Sequence, residues 1–324
     1  MDLSVIIPAR NEIFAAQTAN NVLDKAKANT EVLLVLDGYW PDPVIHDRPN
    51  LRIIHNSEPV GQRAATNQGA RLSNAKYVMK LDAHCSVAEG FDLALMEDCQ
   101  PDWVMIPSQY NLHAFDWVCE QCGKRRYQGS KPAVCKECGG EHFEMRIVWK
   151  RRRNRLTVSW RFDSDLHFQY WKEHKRRPEV QSQGDLIETM SCIGACIFCE
   201  RERYWQLGGM DEEHGSWGQF GTEIACKSWL SGGKLITSLK TWYAHMFRTG
   251  NFAANGESTW PYEITQRQIN AARAYSQTMW RDNAWPGQVK PLSWMLEHFW
   301  PVPDWTDEQL AEQKKRESNF TISS

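Results

Sequence analysis

The segment Asp82-Ala83-His84-Cys85 carries side chains that could bind a metal ion, and it directly follows the apolar residues 77–81. The apolar run predicts a β-strand, and side chains two residues apart at a strand end point to the same side. A carboxylate oxygen of Asp82 and a ring nitrogen of His84 can therefore share one divalent ion. The Asp-x-His pattern alone is also typical of a solvated turn, but open α/β sheets bind their ligands at strand ends.

The elements that must position these residues form an alternating series in the first third of the chain. The pattern predicts strands at residues 3–7, 31–36, 51–55 and 78–81 and helices at residues 13–28 and 62–72. Strands that alternate with helices indicate a parallel sheet of the α/β class. Neither a Gly-x-Gly-x-x-Gly segment nor a P-loop Gly-Lys-Ser/Thr segment is present, so the sequence disfavours a Rossmann dinucleotide site and an NTPase.

The composition is that of a globular protein, with 324 residues, 42% of them hydrophobic, and a formal net charge of −2. Such a chain can form one large α/β domain or two modest ones. No apolar run reaches the length of about 18 residues that spans a bilayer, and the N-terminus lacks the features of a signal peptide. We therefore expect no membrane segment and a cytoplasmic location.

Two Cys-x-x-Cys-Gly pairs, Cys119 with Cys122 and Cys135 with Cys138, have the spacing of a structural zinc site. Four thiolates around one Zn²⁺ leave no open position for a substrate, so the predicted zinc ribbon is structural. Because no export signal is present, metal binding is favoured over disulfides for these cysteines, which agrees with a reducing compartment. Three further cysteines lie in a predicted strand at residues 189–199 and are expected to be buried thiols: Cys192, Cys196 and Cys199.

Four motifs follow one another in the first half: Ile-Ile-Pro-x-Arg-Asn-Glu, Leu-Asp-Gly, Gly-x-x-x-Ala-x-Asn-x-Gly and Leu-Asp-x-His. Their order resembles the GT-A glycosyltransferases of family 2 and their relatives. The resemblance implies a GT-A fold, in which strand ends bind a sugar nucleotide and a divalent metal ion on its diphosphate. The donor contacts that it implies are Pro8, Arg10, Glu12, Asp37, Arg63 and Asp82. For Asp37, the alternative is a helix cap or a turn residue.

The second half adds Phe-Asp-x-x-Leu from residue 162, Gly-Gly-Met-Asp-Glu from residue 208, Trp-Gly at residue 217 and His-Met-Phe-Arg from residue 245. With Leu-Asp-Ala-His-Cys, this series is similar to the polypeptide N-acetylgalactosaminyltransferases over residues 3–250. The resemblance implies metal ligation by Asp82, His84 and His245. It also implies a diphosphate contact by Arg248, catalytic or acceptor-side roles for Trp217 and Glu223, and retention of the anomeric configuration.

Two of these residues have a plain alternative role. His245 lies in an apolar strand and could be a core histidine with its hydrogen bonds satisfied. Glu223 begins a predicted helix at residues 223–230 and could be the first-turn partner of the helix dipole. The family's Gly-Glu-Asn after Trp-Gly is replaced here by Gln219-Phe220-Gly221, so the resemblance does not imply N-acetylgalactosamine as the donor sugar.

Positive charge concentrates at residues 119–177, which contain 16 Lys and Arg against 7 Asp and Glu. The densest runs are residues 150–155 and 172–177, with Trp149, Trp160 and Trp171 between or beside them. Basic side chains neutralise phosphates and aromatic rings stack on bases, so this pattern predicts a nucleic-acid surface. The alternatives are a solvated face and an electrostatic funnel for the donor diphosphate.

Together, these observations predict a glycosyltransferase that moves a sugar from a nucleotide sugar, expected to be a UDP-sugar, to an acceptor hydroxyl, with Mn²⁺ or Mg²⁺ and a structural Zn²⁺. The preferred acceptor is a hydroxymethylated base in DNA, and the alternative acceptor is a protein Ser/Thr hydroxyl. The alternative to an enzyme is a non-catalytic nucleic-acid-binding module.

The expected domains are a nucleotide-sugar-binding half (1–112), the zinc ribbon (113–148), a metal and acceptor half (149–250) and a helical Trp-rich extension (251–324). Helices are predicted at 263–281 and 306–317, the second capped by Thr306.

Overall fold

The computed structural model of the protein describes residues 1–215, 218–248, 262, 264–318 and 320. Its strands are β1 (Leu3–Ala9), β2 (Thr30–Asp37), β3 (Leu51–Asn56), β4 (Tyr77–Leu81), β5 (Cys85–Val87), β6 (Trp103–Cys119), β7 (Arg125–Tyr127), β8 (Phe143–Thr157), β9 (Trp160–Phe162), β10 (Phe168–Tyr170), β11 (Leu186–Glu188), β12 (Cys196–Glu200) and β13 (Lys234–His245). Its α-helices are α1 (Ala15–Lys25), α2 (Gln62–Leu72), α3 (Phe91–Asp98), α4 (Pro178–Gln181), α5 (Arg201–Gln206), α6 (Phe220–Leu230), α7 (Gln266–Arg281), α8 (Leu292–His298) and α9 (Asp307–Arg316). Within these described helices, none combines the length and apolar character that a membrane crossing needs.

One mixed sheet organises the chain, in the order β11-β13-β6-β12-β4-β1-β2-β3, with β5 on β13 and both β7 and β8 on β6. Strands β4, β1, β2 and β3 are parallel, as the alternating pattern predicts. Strand β12 is antiparallel to β4, and β13 is parallel to β6. The α/β class is therefore confirmed, with a parallel first half joined to a mixed second half.

The centre of the sheet is apolar on both faces, because strands β1, β2 and β4 are buried almost throughout. Helix α2 packs against β1 and β2, and α1 packs against β1, β2 and β5. The approach of α2 to the sheet depends on Gly69, since a Cβ atom there would lie 2.5 Å from Cγ2 of Ile6. These helices fix the strand ends that carry the candidate site.

Helix α2 has the bounds predicted from the sequence, whereas other elements differ, helix α1 and the strand expected at residues 189–199 among them. Helix α1 ends at Lys25 because Ala26 is extended, with φ −67° and ψ 145°. The strand predicted at residues 189–199 is wrong for its first seven residues, and only Cys196–Glu200 is a strand. The segment before it turns at Gly194, whose φ is +80°, and its Thr189 side chain accepts a hydrogen bond from the backbone of Trp160.

The predicted zinc ribbon is the tip of a long hairpin formed by β6 and β8. These strands pair antiparallel from Gln109 opposite Thr157 to Cys119 opposite Phe143. The expected boundaries at 112/113 and 148/149 therefore fall inside two continuous strands. The ribbon extends the main sheet, and the division into separate units at these positions does not match the strand pairing.

The C-terminal helices pack onto the body through buried tryptophans. Trp280 and Trp305 are buried, and the indole Nε1 of Trp305 donates to the carbonyl of Phe162 at 3.2 Å. The predicted Thr306 cap is confirmed, since its side chain and that of Gln309 form a reciprocal capping box at the start of α9. Helix α7 begins at Gln266 after a similar box at Thr265, three residues later than the predicted start.

Candidate metal centre and active site

Three predicted ligands converge at one edge of the sheet. Asp82 follows β4, His84 precedes β5, and His245 is the last residue of β13. Because β5 pairs with β13, with Cys85 opposite His245, the distant imidazole is brought beside the Asp-x-His segment. The ligand atoms of the three residues all lie within 4.8 Å of one another.

The triad has the geometry of a metal site. The Nε2 atoms of His84 and His245 are 3.0 Å apart, and Nε2 of His245 lies 3.2 Å from Oδ2 of Asp82. Two imidazole nitrogens and a carboxylate oxygen that face one another so closely need a shared proton or a metal ion between them. The residues fit a divalent ion, because imidazole nitrogens and carboxylate oxygens are both common metal ligands.

Protonation does not block this site at neutral pH. Burial lowers the pKa of His245 to about 4, although its hydrogen bond to Asp82 acts in the opposite direction. Burial alone would raise the pKa of Asp82, but the charge of Lys80 and the hydrogen bond from His245 hold it well below its usual range. The carboxylate is therefore ionised and His245 is neutral, which are the forms that bind metals.

Glu12 orients the imidazole ring of His84 through the ring nitrogen Nδ1, which does not face the metal site. Nδ1 of His84 lies 2.9 Å from Oε2 of Glu12, and the Arg248 guanidinium contacts the same oxygen. Burial would raise the pKa of Glu12, but the hydrogen bond from His84 and the charges of His84 and Arg248 lower it. An ionised Glu12 accepts a hydrogen bond from the Nδ1–H of His84, which leaves the Nε2 lone pair of His84 for the metal.

Asp82 is oriented by two residues that the sequence analysis missed. Lys80 contacts Oδ1 of Asp82 and donates to the carbonyl of Gly194 at 2.7 Å, while Nε2 of Gln62 donates to the same Oδ1 at 3.0 Å. Oδ2 therefore remains for the metal. A signal for Lys80 was present, since a lysine inside an apolar buried strand needs a nearby anion.

The triad lies in the wall of a cavity of about 420 Å³, a size suited to a small-molecule ligand. The predicted residues that line this cavity are Pro8, Arg10, Glu12, Asp37, Asp82, His84, His245 and Arg248. His167, Phe168 and Tyr262 also line it, and the guanidinium of Arg10 lies 5.1 Å from the ring centroid of Tyr262. These three come from distant segments, and no sequence motif marks them.

Asp37 has the turn role that was its alternative, although it also lines the cavity. Its Oδ1 accepts from the backbone of Val60 at 2.6 Å, and its Oδ2 accepts from Gly61 at 3.0 Å. The carboxylate thereby holds the turn before α2. A contact between Asp37 and a nucleoside stays a prediction.

Two predicted site residues lie elsewhere, and their assignment requires correction. Arg63 and Glu223 are 1% and 0% exposed, and neither lines the cavity. Nε of Arg63 donates to Glu223 at 2.8 Å, and Lys227 donates to the other carboxylate oxygen at 2.8 Å. This buried network ties α2 to α6, so the geometry gives Glu223 and Arg63 a structural role. Trp217 lies outside the described residues.

Arg63 also fixes the chain on both sides of that position. Its guanidinium donates to the carbonyl of Gly215 at 2.8 Å and to that of Gly218 at 2.9 Å. The adjoining residues Gly218, Gln219 and Phe220 line the cavity. The network therefore shapes the cavity wall without contributing a side chain to it.

The four ribbon cysteines form a second candidate metal centre. The Sγ atoms of Cys119 and Cys138 are 3.7 Å apart, and those of Cys122 and Cys135 are 3.6 Å apart. A tetrahedral Zn²⁺ with Zn–S bonds of about 2.3 Å requires sulfurs about 3.8 Å apart. The cluster therefore fits Zn²⁺, as the Cys-x-x-Cys spacing predicts.

The sheet order, the strand-end triad and the adjoining cavity have the arrangement that the sequence predicts for a GT-A fold. Residues 4–106 match the family described as Glycosyl transferase family 2. The chain is 24% identical over 265 residues to "Putative polypeptide N-acetylgalactosaminyltransferase 13" of Drosophila melanogaster, which covers 76% of this chain and 42% of that protein. It is also 24% identical over 262 residues to polypeptide N-acetylgalactosaminyltransferase 3 of Homo sapiens, which covers 76% of this chain and 37% of that protein.

Solved structures show the same fold. The structure of GalNAc-T7 with UDP, GalNAc and Mn²⁺ aligns with a TM-score of 0.60 and 16% identity, over 98% of this chain and 54% of that one. The S. aureus TarS 1–349 complex with UDP-GlcNAc aligns with a TM-score of 0.51 and 12% identity, over 99% of this chain and 74% of that one. The chain spans less than half the length of the two curated relatives. The predicted GT-A fold is confirmed.

Proposed function

We propose that this protein transfers a sugar from a UDP-sugar to an acceptor hydroxyl with Mn²⁺ as its cofactor. The observation that carries the proposal is the convergence of Asp82, His84 and His245 in a cavity that Arg248 also lines. An ion held by this triad would neutralise the charge that builds up on a diphosphate leaving group. The GalNAc-T7 structure, solved with UDP and Mn²⁺, supports this choice of donor class and metal.

The basic side chains of the cavity have a defined task in this reaction. Arg248 is held by Glu12 at the cavity wall, and Arg10 lies in the same wall. Their guanidinium groups would bind the diphosphate oxygens and stabilise the leaving group as the glycosidic bond breaks. Glu12 would contribute by position, because it fixes both Arg248 and His84.

Transfer with retention is the stereochemical outcome that we propose. An inverting transferase needs a free base beside the acceptor hydroxyl. Among the described residues that line the cavity, the carboxylates are Glu12, Asp37 and Asp82, and each is bonded to protein groups. A retaining reaction, in which the departing phosphate accepts the proton, requires no such carboxylate.

For the acceptor, we propose a hydroxymethylated base in DNA. The support is the excess of Lys and Arg at residues 119–177 and the four-cysteine ribbon within that segment. A protein Ser/Thr hydroxyl is the rival, which the names of the two curated relatives favour. The thiolate cluster supports a reducing, cytoplasmic environment.

One assay separates these acceptors. The enzyme is incubated with Mn²⁺ and a panel of UDP-sugars, together with hydroxymethylated DNA, the same DNA without the modification, or a Ser/Thr-rich peptide. Mass spectrometry should show a hexose or N-acetylhexosamine added to the modified DNA alone. Addition to the peptide alone would refute the DNA acceptor and leave the transferase intact.

A non-catalytic protein would give a different result in binding and hydrolysis assays. A nucleic-acid-binding module on a GT-A scaffold would bind DNA in a salt-dependent way and would hydrolyse no UDP-sugar in the presence of Mn²⁺. The intact ligand triad argues against it, because a scaffold without catalysis has no need for three converging ligands. Slow hydrolysis of one UDP-sugar, measured as UDP release without acceptor, would exclude the module.

A further inference from the structure

Strand β8 carries a run of cations for which the described part of the chain shows no ion pair. Its side chains Lys150, Arg151, Arg152, Arg153 and Arg155 have no acidic partner among the described residues. Lys150, Arg153 and Arg155 are exposed, and the strand pairs only with β6 among the strands described. We call these five residues the basic edge. Five adjacent positive charges repel one another, so the arrangement favours a polyanionic partner.

The basic edge lies close to the metal triad. His245 pairs with Asn111 of β6, and Asn111 pairs with Arg152 of β8. Neighbouring strands are about 4.8 Å apart, so the backbone of Arg152 lies about 10 Å from that of His245 in the same row of the sheet. A chain bound along the basic edge would thus pass beside the proposed reaction centre.

Aromatic rings hold two of the cations in place. The guanidinium of Arg151 lies 5.0 Å from the ring centroid of Tyr110 and 4.4 Å from that of Trp242, and Arg152 lies 4.8 Å from that of Tyr127. Stacking of this kind restricts an arginine without consuming its hydrogen-bond donors. These donors can therefore still bind a phosphate.

A second cavity, of about 400 Å³, connects the basic edge with the other basic run. Arg151 and Lys175 both line it, although they are far apart in sequence, and Tyr110 and Trp242 form part of its wall. Thr241 also lines it, is 3% exposed, and has a hydroxyl without a hydrogen-bond partner among the described residues. Two cations, an unpaired hydroxyl and aromatic faces suit a phosphate with an attached sugar or base.

We propose that the basic edge binds the sugar–phosphate backbone of DNA beside the metal triad, and that the second cavity, on the opposite face of the sheet, binds a phosphate of the same DNA. The inference rests on the proposed function, since it identifies the surface that would present the acceptor. The partner is DNA because exposed cations beside aromatic rings match the phosphates and bases of a nucleic acid. An acidic protein as the partner is an outcome that the test can return.

Fluorescence anisotropy of a labelled DNA duplex of about 20 base pairs tests the inference. The variant changes the exposed cations of the edge, Lys150, Arg153 and Arg155, to Ala. The matched control changes three exposed cations of α9, Lys314, Lys315 and Arg316, to Ala, which removes the same charge from another face. Each lost phosphate contact lowers the slope of log K against log salt by about 0.9, so the edge variant should lose a slope of about 2 to 3.

Affinity of the edge variant at about 0.1 M salt should fall at least tenfold, up to about 500-fold if all three contacts are lost, while the control stays near wild type. Equal affinities for edge variant and control, or binding of an acidic peptide in place of DNA, would overturn the inference. Mn²⁺-dependent UDP-sugar hydrolysis is measured on the same samples. Its presence without edge-dependent DNA binding refutes this inference alone, whereas its absence refutes the proposed function.

Discussion

Replacement of Glu223 by Gln distinguishes a structural carboxylate from a catalytic one. Glu223 is fully buried, and it accepts hydrogen bonds from Arg63 and Lys227 at 2.8 Å each. Burial alone would raise its pKa, but the charges of Lys227 and Arg63 lower it, so the carboxylate is ionised. Glutamine keeps the volume and one acceptor oxygen but leaves two buried cations without a negative partner.

The expected cost follows from this arrangement. Loss of one partner of a buried ion pair costs about 3–5 kcal/mol, because the remaining charge stays uncompensated. The entropy of unfolding is about 2.1 cal/mol/K per residue, which gives about 0.7 kcal/mol/K for a chain of this length. The melting temperature of Glu223→Gln should therefore fall by about 4–7 °C.

Thermal unfolding monitored by circular dichroism measures this change. Glu144→Gln is the control, because Glu144 pairs with Arg146 on the surface at 2.8 Å, and its loss should change the stability by less than about 0.5 kcal/mol. A Glu223→Gln variant with an unchanged melting temperature and a UDP-sugar hydrolysis rate lowered more than about 100-fold would refute the structural role. It would restore the catalytic role predicted from the sequence.

Three further predictions concern metal ions and pH. Glu12→Gln should weaken Mn²⁺ binding about 10- to 100-fold in isothermal titration, because His84 loses its anionic partner; unchanged affinity would contradict that role. Cys135→Ser should abolish the stoichiometric Zn²⁺ found by elemental analysis and lower the melting temperature, and an equal zinc content would exclude the four-thiolate site. The hydrogen bond from His298 lowers the pKa of Glu188 to about 2 from 4.5, so Glu188 contributes stability above pH 4.5 that is lost towards pH 2. Glu188→Gln should remove that part of the acid dependence in unfolding curves, and an identical pH profile would contradict it.

Local patterns predicted the parts of the fold that local forces determine. Helix α2 has its predicted bounds, because a turn glycine precedes it and its apolar face repeats at helical spacing. The strand expected at residues 189–199 was wrong in its first part, since a buried apolar run can be extended chain without a partner strand. Apolar character predicts burial, whereas strand pairing depends on neighbours that the local sequence does not contain.

The sequence predicted the metal triad of the site but misplaced other residues. The Asp-x-His spacing and the resemblance supplied the triad, and the fold brings His245 to Asp82 across a separation of 163 residues. Glu223 was assigned to the cavity because its motif carries chemistry in relatives, but its pairing with Arg63, 160 residues away, buries it. Such a pairing is decided by tertiary packing, and single-sequence reasoning has no signal for it.

The central claim is that Asp82, His84 and His245 bind one divalent ion beside the donor diphosphate. Anomalous diffraction from a crystal soaked with MnCl₂ and UDP tests it most directly. We expect one manganese peak about 2.0–2.3 Å from Oδ2 of Asp82 and from Nε2 of each histidine, with the UDP diphosphate completing the coordination. A manganese peak elsewhere in the cavity, or UDP bound with Asp82 and His245 well apart and no ion between them, would contradict it.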